Sequence, residues 1–149
     1  NLHEIAEMRE KTGKRAKERE RYARCLKSLL MVGDKNPDHN RLFNKELSHT
    51  LELLLLQNPY EKKKGDVLEV KLLYKNKILV KKAIEALHFD PIKGVSIQLV
   101  YTNDEGTARF QLNYAGMWVI RTVHLYPVSG DAEVDWESYW TSYSFAIAE

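Results

Sequence analysis

From Gly65 onward, apolar residues return at every second position, in short runs cut apart by turn residues, and no other feature restricts the fold so tightly. Leu68, Val70, Leu72 and Tyr74 share one side of a first run, which Lys75-Asn76-Lys77 turns. Val95, Ile97, Leu99 and Tyr101 share one face of a later run. Asn103-Asp104-Glu105-Gly106 then reads as a hairpin loop ending on a glycine that can take a positive φ, with Ala108, Phe110, Leu112 and Tyr114 answering across it. Ala115-Gly116 turns into WVIRTVHLYP, SGDAEVD is the next loop, and WTSYSFAIA is the last run. Successive side chains of an extended chain point to opposite faces, so each run is a strand with one face for a core. Short strands at regular spacing, rich in Val, Ile, Tyr and Phe, predict a mostly-β chain: an Ig-like antiparallel β-sandwich.

Upstream of Gly65 the period is less decisive. Residues 2–20 carry Leu2, Ile5, Ala6 and Met8 at helical spacing and then fade into charge after Gly13, which predicts a helical appendage over 1–20 ahead of a β-domain over 21–149. RYARCLKSLLMVG fits a helix, and fits equally a strand with Leu26, Leu30 and Val32 on one face. Gly33 to Asn40 is a loop by its Gly, Pro, Asn and Asp content. Local propensity makes Lys45 to Leu56 a helix, whereas LELLLL followed by QNPY suits a buried strand ended by a proline turn. The periodicity leaves helix and strand both open at 22–32 and 48–56.

Composition excludes several function classes. The net charge of +2 over 149 residues is small and evenly spread, unlike the clustered basic face of a nucleic-acid binder. No run approaches the ~20 apolar residues of a membrane-spanning helix, so the chain is not expected to be membrane-embedded. NLHEIAEMRE has no apolar core of a secretory signal. The single cysteine, Cys25, cannot form an internal disulfide and sits where a core residue is expected.

Chemistry-bearing patterns are few. Trp136 and Trp140 lie four apart in DWESYW and so share a strand face, with Trp118 one run earlier. They are expected to close the core of a small sandwich, with Asp135 and Ser138 satisfying turn amides. The competing reading is an aromatic-walled pocket with Glu137 and His124 as its polar groups. The histidines, His3, His39, His49, His88 and His124, show no metal-ligand spacing. His124 has the parity of Trp118, Ile120 and Thr122, as a half-buried core histidine would. Asp131, Glu133, Asp135 and Glu137 offer alternate oxygens for calcium or a remote glycosidase pair, but lack an EF-hand pattern. No nucleophile elbow is present, and no enzymatic activity is expected.

Several fragments carry a resemblance. Asn58-Pro59, Gly65-Asp66, Leu73-Tyr74, Thr102 to Gly106, Ala115 to His124 (AGMWVIRTVH) and Asp135 to Trp140 (DWESYW) together resemble the C-terminal part of a bacterial family of uncharacterised periplasmic proteins associated with ABC-type cobalt and nickel uptake. The likeness spans roughly residues 20–149, and its last two motifs, with Gly116, Trp118, Asp135, Trp136, Glu137, Ser138 and Trp140, are the specific ones. The family's Gly-Lys-Pro turn is Asn76-Lys77-Ile78 here, and its signal peptide and N-terminal domain are not in this chain. The resemblance implies a transthyretin-like or carboxypeptidase-regulatory-like sandwich, strands at 22–32 and 48–56, and a periplasmic or exported location. It also implies a non-enzymatic accessory role in Ni or Co uptake beside a membrane transport component or envelope protein, with His124 as the candidate metal ligand. An envelope domain without a small ligand is the alternative.

Overall fold

The computed structural model describes residues 7, 10, 11, 18–33 and 42–148. Within them the chain is mostly strand: β1 (Glu20–Ser28), β2 (Leu51–Leu55), β3 (Val67–Tyr74), β4 (Lys77–Ile78), β5 (Ala83–Asp90), β6 (Gly94–Tyr101), β7 (Thr107–Gln111), β8 (Gly116–Pro127) and β9 (Trp136–Ile147). A 3-10 turn at Pro59–Glu61 is capped by Asn58, whose side chain accepts from the Tyr60 amide. The helical appendage expected over 1–20 lies almost wholly outside the described residues. Residues 7, 10 and 11, the described ones among the first seventeen, are in helical conformation without a delimited helix, and the last residue of the expected appendage, Glu20, already belongs to β1.

One sheet has five strands in the order β1-β9-β8-β5-β6. The other has four, in which β3 pairs with β2, β4 and β7. A single apolar core draws on both: Leu51, Leu53, Leu55, Leu68, Val70, Leu72, Ala108 and Phe110 from one side, Ile84, Trp118, Ile120, Tyr143, Phe145 and Ile147 from the other. The alternation of β3 predicts its core face correctly. Trp118 alone removes on the order of 200 Å² of aromatic surface from water, worth several kcal/mol at ~25 cal/mol per Å². Its indole N–H is not stranded, because it donates to the Tyr114 carbonyl at 3.0 Å.

Both ambiguous segments are strands. Leu51 to Leu55 is buried at every position, with no polar face, because β2 packs on the core with one side and under the segment before it with the other. Helix propensity is overridden there by pairing with β3 from Leu51↔Tyr74 to Leu55↔Val70. The hairpin turn between β3 and β4 is made by Lys75 and Asn76, both at positive φ (50° and 60°), the primed-turn geometry that matches strand twist.

Three expectations need correction. The sandwich is not wholly antiparallel: β1 runs parallel to β9, from Glu20↔Trp136 to Ser28↔Ser144. The apolar residues of β1 and its continuation, Leu26, Leu30 and Val32, are exposed rather than facing a core. Finally, β6 and β7 do not form a hairpin, because β6 lies in the five-stranded sheet and β7 pairs with β3 in the other. The loop between them crosses the sandwich. The Asn103 carboxamide accepts from the amides of Glu105 and Thr107 and tightens that crossing. Gly106 completes it at φ +70°. The two strands still meet through a side chain: the Gln98 amide donates to the Gln111 carbonyl (2.7 Å) and accepts from the Gln111 amide (3.1 Å).

Candidate functional site

The DWESYW motif sits at the start of β9, and its polar atoms hold β1. The Asp135 carboxylate accepts from the Arg19 amide at 2.9 Å, and the Trp136 indole donates to Glu18 at 2.9 Å. Ser138 is buried, donates to the Glu20 carboxylate and accepts from the Trp140 indole at 3.0 Å. Glu137 takes the Arg21 guanidinium at 3.0 Å, and Arg24 lies 5.5 Å over the Trp140 ring. The expected shared face of Trp136 and Trp140 is real, but it is the outer face of the sheet. Trp140 remains 37% exposed, and of the three tryptophans Trp118 is the one fully buried in the core. Core closure therefore belongs to Trp118, and the DWESYW pair lines a seam that receives a strand from the opposite end of the sequence.

Beside that seam, Tyr74 of β3 meets His124 and Tyr126 of β8 and Tyr139 of β9. The Tyr74 and His124 rings are 4.6 Å apart, edge to face. A hydrogen-bond chain runs from Tyr74 Oη to Tyr126 Oη at 3.1 Å, on to Glu137, and from there to Arg21, which also reaches Asp131 at 3.1 Å. Burial pushes the Tyr126 hydroxyl up, reinforced by Glu137 and Tyr74. The Tyr126 and Arg21 hydrogen bonds keep the Glu137 carboxyl below its ordinary value. Asp131 is also held low, by the Glu133 amide and by Arg21. As its parity predicts, His124 points inward. Burial, with Lys82 and Lys75 nearby, brings its ring from 6.5 down to about 4. Its Nδ1 is buried without a hydrogen-bond partner among the described residues.

The expected metal chemistry gains no ligand set. Among the described residues, no group of three or more His, Cys, Asp and Glu is placed to hold an ion. His3 and His39 lie outside the described residues. His88 is buried, bonded to the Ala115 carbonyl at 2.8 Å and stacked on Tyr114; Gly116 follows directly, opening β8. The acidic loop is likewise engaged: Asp131, Glu133 and Glu137 face Arg21, and Asp135 faces Arg19. Cys25 is partly buried and free, and burial raises its thiol.

Two features escape local sequence reading. The first is an ion pair between Lys27 of β1 and Glu52 of β2, with side chains 7% and 1% exposed. Glu52 also accepts from the Leu47 and His49 amides, and Lys27 donates to the Lys45 and Leu53 carbonyls. The signal was the lone acid inside LELLLL, since a charge in a buried strand needs a partner. The second is the outer face of the five-stranded sheet. Phe89↔Val95 and Leu87↔Ile97 on β5 and β6, with Met117 and Val119 beside them on β8, form a contiguous apolar surface. Val95, Ile97 and Leu99 are 51%, 57% and 56% exposed, and the Glu85–Arg121 ion pair bounds the surface at one end. An open groove of about 480 Å³ on the other sheet is lined by polar residues, among them Gln57, Lys62, Glu69 and Arg109.

Over residues 4–125 the chain matches a family described as a domain of unknown function (DUF4198). The match takes in residues 4–19, which the resemblance to the cobalt and nickel family left out, and stops short of DWESYW. No curated protein and no solved structure matches the chain.

Proposed function

The chain belongs to the family described as a domain of unknown function (DUF4198), and we propose that it is a non-enzymatic docking module whose working surface is the outer side of β6, β5 and β8. The observation that carries this is the apolar surface of Val95, Ile97, Leu99, Phe89 and Met117, exposed on a sheet whose opposite face already fills the core. Contiguous apolar surface with a charged rim is how interaction sites differ from ordinary protein exterior. The setting proposed for this docking is beside a transport component or another envelope protein, and the location periplasmic or exported. A transthyretin-like or Ig-like classification accords with two sheets around one core.

Cobalt or nickel enters only as the setting of that role. His124 is neutral at physiological pH and its Nδ1 has no partner among the described residues, which suits a ligand, but one imidazole without further donors among those residues is too few for a borderline divalent ion. The chain's own share would be docking, not metal capture. Glycan hydrolysis is less supported still, because Asp131 and Glu137 both pair with Arg21 of β1 instead of facing each other across a cleft.

A photocrosslinking residue placed at Ile97 of the full chain, in cells, tests the proposal against the same probe at Arg109 on the other sheet. Protein adducts at 97 and none at 109 are expected. Equal or no labelling refutes docking through this surface. Saturable Ni²⁺ or Co²⁺ binding to the purified chain, lost in His124→Ala, would favour metal capture instead.

A further inference from the structure

Strand β6 ends its sheet, and the backbone N–H and C=O groups on its far side pair with no other strand among the described residues. A free edge is a template for another strand, and proteins blunt such edges with charge, proline or shortness. Other edges here are blunted: β7, which pairs with β3 alone, is five residues long and carries Arg109. The outermost strand at the opposite side, β1, carries Glu20, Arg21, Arg24 and Lys27. Strand β4 is two residues long, and β2 is buried at every position. By contrast, β6 reads GVSIQLVY over eight residues, with no charge, no proline and no positive φ after its first glycine.

We infer that the partner taken by this surface is a second copy of the chain, joined antiparallel along the free edge of β6. The inference rests on the docking role proposed for this side of the sheet. A two-fold axis lays the strand on itself, so the occupant must tolerate its own sequence at every position. An uncharged strand does so in any register, whereas β1 against itself would set arginines and lysine among one another. The outward side chains of Val95, Ile97, Leu99 and Tyr101 would then meet their counterparts across the axis. Each is more than half exposed. Side chains of this size offer on the order of 100 Å² apiece, about 400 Å² per copy, against ~800 Å² per partner in a standard interface. The backbone edge supplies part of the remainder, which fits a dimer of moderate affinity. Pairing would also join two apolar outer faces into one.

The test is sedimentation equilibrium of the full chain over roughly 10 µM to 1 mM, the range in which such affinities are read. The apparent mass should climb from 17.4 kDa toward twice that value. Amides of β6, and not those of β1, should gain hydrogen-exchange protection with concentration. Ile97→Lys and Leu99→Lys each change an exposed side chain and should weaken the dimer at least ~10-fold by opposing charges across the axis. Their melting midpoints in dilute solution should match the parent's, which separates lost pairing from lost folding. A monomer at the highest concentration overturns the inference, and so does a dimer indifferent to both substitutions. A monomeric chain that still labels a different protein from Ile97 overturns self-pairing and leaves docking intact.

Discussion

Replacing Lys27 by methionine should be the most damaging single change at the junction of the two sheets. The substitution keeps an apolar stem of similar length and removes the ammonium, whose nitrogen lies 5.8 Å from the Tyr143 ring centroid. Glu52, 1% exposed, then keeps the Leu47 and His49 amides but loses its counter-ion. Breaking one half of a buried pair costs about 3 kcal/mol or more. For a chain of this size that lowers the melting midpoint by roughly 6–12 °C. The pH dependence identifies the cause. In the parent, burial alone would raise the Glu52 carboxyl, but Lys27 and the two amides outweigh it and hold the carboxyl below its ordinary 4.5. The stability this lends is fully present above the ordinary value and lost as pH falls through the depressed folded value. In Lys27→Met the burial effect dominates, the folded carboxyl moves above its unfolded value, and acid relieves the strain. Urea unfolding at successive pH values should therefore show a gap between parent and variant that is widest near pH 7 and narrows toward pH 4. A loss below about 1 kcal/mol at neutral pH, or a gap independent of pH, would refute this account. Lys27→Met combined with Glu52→Gln should recover part of the loss, since the uncharged carboxamide removes the unpaired buried charge while its oxygen still accepts from a backbone amide.

Other outcomes follow from single contacts. Gly106→Ala should cost about 1–2 kcal/mol in urea unfolding, because residue 106 sits at φ +70° and a new Cβ would lie 3.0 Å from the Ile78 Cβ. Trp136→Phe removes the indole bond to Glu18 and should cost about 1 kcal/mol. Its hydrogen-exchange signature should be faster exchange in β1 with β5 and β8 unchanged, because the lost indole bond reaches Glu18, just ahead of the parallel strand, while the backbone pairing of β9 with β8 is kept. His124 should stay neutral by NMR titration until pH nears 4. Its folded value is depressed, so the unfolded chain takes the proton first and stability drains as pH falls from 6.5 toward 4. Partial exposure limits the loss to ~1–2 kcal/mol, and His124→Phe should flatten that part of the pH profile.

What the residues determine alone is visible in β3 and β8. Leu68, Val70 and Leu72 alternate toward the core, and His124 takes the inward parity of Trp118, Ile120 and Thr122. A period of two is a local property of extended backbone, so it survives any arrangement of neighbours. The primed turn at Lys75-Asn76 and the positive φ of Gly106 are local for the same reason. Which strand pairs with which is not local. Nothing in the alternation of Val95 to Tyr101 tells whether that face meets a core or lies open, nor that the next strand crosses to the other sheet. Pattern placed β1 no better: its apolar residues look core-directed, yet it docks as a parallel edge held by DWESYW, 116 residues away at Arg21–Glu137. Only the tertiary arrangement brings Lys27 to Glu52 and leaves the uncharged edge of β6 without a strand partner among the described residues, because pairing free energy comes from partners distant in sequence.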